Sequence, residues 1–348
     1  MRALTVTPGK PGAVQLRSIP EPSTAHGAVL TQTLAIGVCG TDREIVEGMY
    51  GQAPEGADWL ILGHESLGRV LEAPADSGLT PGDLVVGIVR RPDPVPCPNC
   101  AAGEWDMCRN GLYTECGITQ RHGFGQERFR AEPEFAVRVD PALGPLGVLL
   151  EPASVLAKAW EHVERIGTRA RWQPRRALVT GAGPVGLLAA LLGVQRGLEV
   201  HVLDRVTEGP KPGLVRALGA TYHTSSVQEA GEGADVVLEC TGAAALVFDA
   251  MQVTGRNGIT CLTGVSSRGR AVRLDAGLLN RTIVLENDVV FGSVNANRRH
   301  YEQAAAALAG ADRGWLAGLI TRRVPLDRWP EALQRQPGDV KTVIDFTA

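Results

Sequence analysis

The sequence predicts an α/β plus β chain: a β-rich part up to about residue 150, joined to a doubly wound α/β part with a parallel sheet. Three observations carry this. The chain has 348 residues, and about 100–200 residues per domain makes two domains the natural division. Before Glu151, short runs of Val, Leu, Ile and Thr are broken by turn pairs, the pattern of β structure. After it, strand-like and helical stretches alternate, as they do when helices cover both faces of a parallel sheet.

In chain order, Met1–Val6 reads as a first strand, and Ala28–Leu34 and Ser66–Leu71 as further ones. Pro81-Gly82-Asp83 supplies a tight turn into Leu84–Val89. From Pro152 to Ile166, Val155, Leu156, Ala159, Trp160 and Val163 share one helical face. Ala177–Thr180 is a buried strand, followed by a glycine loop, an Ala/Leu helix to about Arg196, and the strand Glu199–Asp204. Gly209–Gly213 is expected to be a surface loop. Asp235–Cys240 and Gly258–Leu262 continue the sheet, and Asp288–Val294 is expected to form an edge strand that pairs between subunits. A helix of about Arg299–Ala309 and a strand Val340–Phe346 end the chain.

Composition excludes several classes. A net charge of −3 with 21% charged residues offers no basic excess for nucleic acid. No apolar stretch is expected to reach the length of a membrane span, and the N-terminus lacks the features of a signal peptide, so the expectation is a cytoplasmic protein with neither nucleic acid nor membrane as partner. The seven cysteines are an odd number, which argues against a disulfide framework.

Gly181-Ala182-Gly183-Pro184-Val185-Gly186 fits G-x-G-x-x-G. It follows a strand, opens a helix, and has Asp204 at the end of the next strand, the context of a Rossmann dinucleotide site. Gly181 permits the turn, Gly183 admits the pyrophosphate, Gly186 allows close packing of the helix, and Pro184 suits the first helical turn. The helix N-terminus favours the phosphates. Asp204 is expected to accept from the adenosine ribose hydroxyls and repel a 2′-phosphate, favouring NAD; the adjacent Arg205 leaves NADP open.

Cys39, His64 and Glu65 offer thiolate, imidazole and carboxylate, all good ligands for Zn²⁺. Successive strand residues point to opposite faces, so His64 and Glu65 reach one metal only if the chain turns irregularly there. Cys97, Cys100 and Cys108 form a second constellation, because three thiols at this spacing in a reducing compartment point to metal. Cys240 and Cys261 lie on or beside strands and read as core residues.

Gly37-x-Cys39-Gly40-Thr41-Asp42, Gly63-His64-Glu65, Pro81-Gly82-Asp83 and the glycine fingerprint, in this order, resemble the zinc-containing medium-chain alcohol dehydrogenases across essentially the whole chain. Gly40–Val46, Val89-Arg90-Arg91-Pro92 and Gly123-Phe124-Gly125 before Glu127-Arg128-Phe129 resemble the glucose 1-dehydrogenase branch. The resemblance implies a GroES-like β catalytic domain over 1–153 and 295–348, and a Rossmann domain over 154–294. It implies Cys39, His64 and Glu65 around a catalytic zinc, Glu151 as a further carboxylate that ligates directly or through water, and Thr41 as the hydroxyl that relays the substrate proton. Glu115 and His300 align with positions that hold sugar hydroxyls, and Asn295 with one near the nicotinamide.

A structural zinc is implied for Cys97, Cys100 and Cys108; the family's further cysteine is absent, and Asp93 aligns with it. A Cys3Asp site is expected, with Cys116 as fourth ligand or an empty lobe as alternatives. The implied activity is oxidation of a sugar hydroxyl with hydride passing to NAD or NADP, in a homodimer or homotetramer. Val155 and Ala157 are apolar where glucose enzymes carry acidic residues, so a cyclitol, amino sugar, linear polyol or simple alcohol stays open. So do a non-catalytic nucleotide-binding relative and a zinc-free quinone reductase of similar fold.

Overall fold

The computed structural model describes residues 1–266 and 271–348. The chain divides into two compact units, Met1–Ser154 with Asn295–Ala348, and Val155–Val294.

The first unit is built on a seven-stranded sheet. Its path runs Ala136–Arg138, Leu84–Gly87, Glu65–Glu72, Val29–Val38, Lys341–Asp345, Ile320–Pro325, with Arg128–Ala131 also paired to Val29–Val38. The long strand Val29–Val38 is the pivot, and two of its registers position the site. Gly37 pairs with Glu65 on one side, and Val38 with Thr342 on the other. The C-terminal strand therefore brings Lys341 beside residues some three hundred positions earlier. Leu4, Val6, Val38, Ile45, Leu60, Leu62, Val89, Val324 and Ile344 pack as one apolar cluster beneath the end of the Val29–Val38 strand.

The second unit holds a six-stranded parallel sheet in the order Thr221–His223, Glu199–Leu203, Arg176–Thr180, Ala234–Glu239, Thr254–Leu262, Val289–Gly292. Strand order reverses beside Arg176–Thr180, which is where doubly wound sheets bind nucleotides. Val289–Gly292 is an edge strand.

Three sequence expectations change. Gly209–Gly213 is not a loop throughout: a helix, Pro210–Ala217, starts there with Pro210 at its first turn, and Lys211 and Pro212 are buried. Proline fits that first turn because its missing N–H has no partner to lose. The run Pro141–Gly167 does reach membrane-span length and apolarity, but 72% of that window is buried inside the protein. It consists of a 3-10 segment, Pro141–Leu149, kinked within at Gly144, and the α-helix Leu150–Gly167, which starts two residues before the expected point and takes in Glu151. The strand from Leu84 stops at Gly87.

Candidate active site

The strand Val29–Val38 ends just before Cys39, which caps the short helix Gly40–Val46. The Cys39 sulfur accepts from Thr41 N–H at 3.3 Å, and the Asp42 carboxylate accepts from Cys39 N–H at 2.9 Å. This reciprocal cap locks the turn, so the thiol direction is set by backbone geometry. Gly63, at φ 90°, kinks the chain before the strand Glu65–Glu72 begins. His64 thus precedes the pleat, which is the irregularity its pairing with Glu65 requires.

The result is a compact donor group: Cys39, His64 and Glu65 each present a ligand atom within 4.8 Å of the others. His64 Nε2 lies 3.1 Å from the Cys39 sulfur, and His64 Nδ1 lies 3.3 Å from Asp42 Oδ1. A carboxylate on Nδ1 selects the tautomer that leaves the Nε2 lone pair for a metal. Tetrahedral bonds of about 2.3 Å to sulfur and 2.0 Å to nitrogen put those atoms roughly 3.5 Å apart, so a small outward shift of the two side chains from 3.1 Å would seat a zinc between them.

The electrostatics agree. His64, Glu65, Asp42 and Glu151 are all buried. Burial pushes the Glu151 carboxyl up to about 7, with the neighbouring Glu65 charge adding to it. Burial alone would depress His64, yet the Cys39 and Asp42 charges outweigh it and raise its proton affinity well above the ordinary range. Three carboxyl groups, Asp42, Glu65 and Glu151, thus share the pocket with His64. Lys341, 1% exposed, pairs with Glu65 and is its counter-charge. Gly37 allows this closeness, since a methyl there would meet both the Glu65 carboxylate and Lys341 Cε.

Lys341 and Asp42 are the site residues that sequence reasoning passed over. Asp42 has a local signal, standing three residues after Cys39 at the capping-box position. Lys341 has none.

The expected substrate residues separate. Glu115 is buried, and its Oε1 accepts from Arg90 Nε (3.1 Å), Arg90 Nη2 (2.9 Å) and Asn295 Nδ2 (2.8 Å). Arg90 is itself stacked on Tyr113, 3.6 Å from the ring centroid. Asn295, expected near a nicotinamide, instead uses its side-chain amide on Glu115 and stands in the left-handed region at φ 61°. His300 is fully enclosed: Nδ1 accepts from Asn297 N–H in the cap of helix Arg298–Ala309 and lies 3.9 Å from Asp106.

In the cysteine lobe, Cys97, Cys100 and Cys108 bring their sulfurs within 4.8 Å of one another. Backbone N–H groups of Arg109 and Cys100 lower the Cys97 thiol to about 6, as hydrogen bonds to a thiolate do. Asp93 lies outside this group of donor atoms; its carboxylate accepts from Val95 N–H (2.8 Å) and from the Asn110 amide (2.7 Å). Cys116 packs instead with Ile36, Phe124 and Phe129.

In the second unit, Gly181 takes φ 89° and Gly183 caps the helix Pro184–Gln195, with Pro184 in its first turn and Val185 following. Gly186 is buried against the Gly181 carbonyl. Asp204 stands at the end of Glu199–Leu203, as expected, but its carboxylate is already engaged. Oδ2 accepts from Ala182 N–H (2.7 Å) and Lys211 Nζ (2.9 Å), and Oδ1 from Val206 N–H (3.0 Å). Burial opposes its charge, but Lys211 and these N–H groups outweigh that and lower its pKa. Arg205 is exposed. Cys261 is buried, while Cys240 is half-buried.

Comparison with known proteins converges. Residues 25–141 match the alcohol dehydrogenase GroES-like domain family, and residues 144–346 the glucose dehydrogenase C-terminus family. The chain is 39% identical to glucose 1-dehydrogenase of Methanocella arvoryzae over the whole of both chains. It is 41% identical to glucose 1-dehydrogenase of Thermoproteus tenax, covering 99% of each. Among solved structures, Haloferax mediterranei glucose dehydrogenase in complex with NADP, Zn and gluconolactone matches with a TM-score of 0.92 at 34% identity, covering all of both chains.

Proposed function

The chain belongs to the zinc-containing medium-chain alcohol dehydrogenase family, in its glucose dehydrogenase branch, and from that premise we propose that it oxidises the anomeric hydroxyl of glucose to the lactone, passing hydride to NADP or NAD. The observation that carries this is the buried donor group Cys39, His64 and Glu65, on a chain similar over its full length to glucose 1-dehydrogenases. The relative solved with NADP, zinc and gluconolactone supports the cofactor, the metal and the product.

Cys39, His64 and Glu65 would hold the catalytic zinc, with Glu151 as the further carboxylate beside them. When bound, the metal supplies Lewis acidity that lowers the pKa of a substrate hydroxyl. The protein's own residues do the rest. Asp42 fixes the imidazole through Nδ1. Lys341 pairs with Glu65, and Glu65 and Glu151 would be the two carboxylates able to exchange places at the metal. The Thr41 hydroxyl, beside Cys39, would take the proton from the sugar hydroxyl and pass it on toward the cofactor. Glu115, anchored through Oε1 by Arg90 and Asn295, offers its other oxygen to a sugar hydroxyl. Gly181, Gly183, Pro184, Val185 and Gly186 cradle the pyrophosphate at a helix N-terminus. The hydride chemistry is the cofactor's. The sulfurs of Cys97, Cys100 and Cys108 would hold a structural zinc.

Seven free thiols suit a reducing cytoplasm. A homodimer or homotetramer is favoured by the edge strand Val289–Gly292 and by the helix Ala276–Glu286 nearby, which leaves Leu278, Val284 and Leu285 exposed. The decisive experiment is a steady-state screen of sugars and polyols with both cofactors, run beside Cys39→Ser. Glucose should give NADPH or NADH, and the variant should lose turnover while cofactor binding persists. Undiminished activity in Cys39→Ser rules the scheme out.

A further inference from the structure

The Glu115 carboxylate is oriented through Oε1, and its donors come from distant parts of the chain. Arg90 stands directly across from it in the pairing of Arg90–Arg91 with Thr114–Cys116. Asn295 reaches it from the segment before the helix Arg298–Ala309. Both donors lead back to Asp106. The Asp106 carbonyl accepts from Arg90 Nη1 at 3.1 Å, and its Oδ1 accepts from Asn297 Nδ2 at 2.7 Å. The Asp106 side chain is 1% exposed and Asn297 is buried, so water competes little for that bond. Asn297 also caps the helix, its Oδ1 accepting from Arg299 N–H at 3.1 Å. Asn295, just before it, has φ 61° and turns its own Oδ1 back onto Ala296 N–H. Left-handed backbone is less favourable with a side chain present and needs neighbouring contacts to hold it. The contacts thus close a ring from Glu115 through Arg90, Asp106, Asn297 and Asn295 back to Glu115. Asp106 itself sits in the turn Trp105–Met107, immediately before Cys108 of the sulfur group.

We propose that Asp106 is a positioning residue for the sugar: it fixes the Asn295–Asn297 segment, so that the Asn295 amide joins Arg90 on one oxygen of Glu115 and the carboxylate is held in the orientation that receives a sugar hydroxyl. This rests on the glucose dehydrogenase reading above. The terminal torsion of a glutamate is broad, and donors arriving from separate elements narrow it. Asp106 acts through Glu115, and its effect is therefore on sugar affinity.

The test is a calorimetric titration of glucose into the zinc-loaded protein saturated with NADPH, a complex that holds sugar without turning it over, with KM and kcat measured alongside. Asn297→Ser keeps a good helix cap but is too short to reach Asp106. It should weaken glucose binding about tenfold, the scale of one charge-assisted hydrogen bond, and raise KM in step, while kcat and NADPH affinity stay within about twofold of wild type. Asp106→Ala should do the same, and Asp106→Asn, which retains an oxygen for the Asn297 amide, should stay close to wild type. Asn295→Ala should match Asn297→Ser, and the two combined should add nothing, because they act on one contact. A merely structural link would lower the melting temperature and leave the glucose dissociation constant unmoved. That outcome in Asn297→Ser, or effects that multiply in the double variant, overturns the proposal, and Asn297→Ser decides alone if Asp106→Ala does not fold. A wild type that binds NADPH but no glucose sinks the glucose reading together with this one. A wild type that binds glucose, with an affinity indifferent to Asn297→Ser, sinks this one alone.

Discussion

Replacing Glu115 by glutamine separates two roles for that residue, one toward substrate and one toward the fold. The carboxylate takes both Nε and Nη2 of Arg90 on Oε1, at 3.1 and 2.9 Å, and both side chains are about 95% buried. With charge centres about 4 Å apart and an effective dielectric near 20, the attraction is about 4 kcal/mol. Removing one charge of a buried pair costs about 3–5 kcal/mol, because the other stays desolvated and unbalanced. Two contacts survive the change, the Asp106 carbonyl at 3.1 Å from Arg90 Nη1 and the Tyr113 ring under the guanidinium. Both are present before and after the change and so cancel, leaving about 3 kcal/mol as the lower end of the loss. For a unit of this size that lowers the melting temperature by roughly 6–12 °C. Differential scanning of the zinc-loaded protein, with and without glucose, reads this directly, and the KM for glucose read alongside separates the roles. A variant that melts within about 1 °C of wild type while its KM rises tenfold would show that the carboxylate serves only substrate, and that the ion pair is worth little.

Three further outcomes are expected. Gly186→Ala presses a methyl into the Gly181 carbonyl, an overpacking cost of about 1–3 kcal/mol that should weaken NADP binding about tenfold or more; equal affinity in a titration would show that the loop yields freely. Elemental analysis should find two zinc ions per chain, falling to one in Cys100→Ser with the catalytic metal retained, and a wild type with one ion would empty the cysteine lobe of its role. His122, stacked on Trp59 and accepting from Ile61 N–H, has its pKa lowered from 6.5 to about 4, first by burial and then by His26. Between those values the unfolded chain binds the proton and the folded one does not, so stability falls as pH drops through that window. Urea unfolding at pH 7 and pH 4.5 should show a smaller drop for His122→Asn, and identical drops would clear His122 of any part in it.

Much of the fold was legible because its signals are local. The parallel sheet announced itself through Ala177–Thr180, Glu199–Asp204 and Asp235–Cys240, short apolar runs at α/β spacing, and each stands in the structure within a residue or so. The segment from Gly209 misled because proline and glycine read as loop, although proline is equally at home in a first helical turn. In the lobe, an acidic residue near three cysteines suggested a fourth ligand. Whether a carboxylate faces a metal or its own turn depends on contacts such as Asn110 on Asp93, seventeen residues away.

The division between sequence and structure is sharpest at the two binding sites. By itself the sequence determined the donor chemistry, Cys39, His64 and Glu65, and the glycine loop that receives a pyrophosphate, because both depend on residue type at short spacing. Only the tertiary structure decided the charge each site carries. Lys341 reaches Glu65 through strand pairing at the far end of the chain, and Lys211 reaches Asp204 through a helix that begins where a loop was expected. Ion pairs act across space, at distances that chain separation does not record. A carboxylate's meaning for metal or cofactor is therefore settled by its partner, and that partner is found only once the chain has folded.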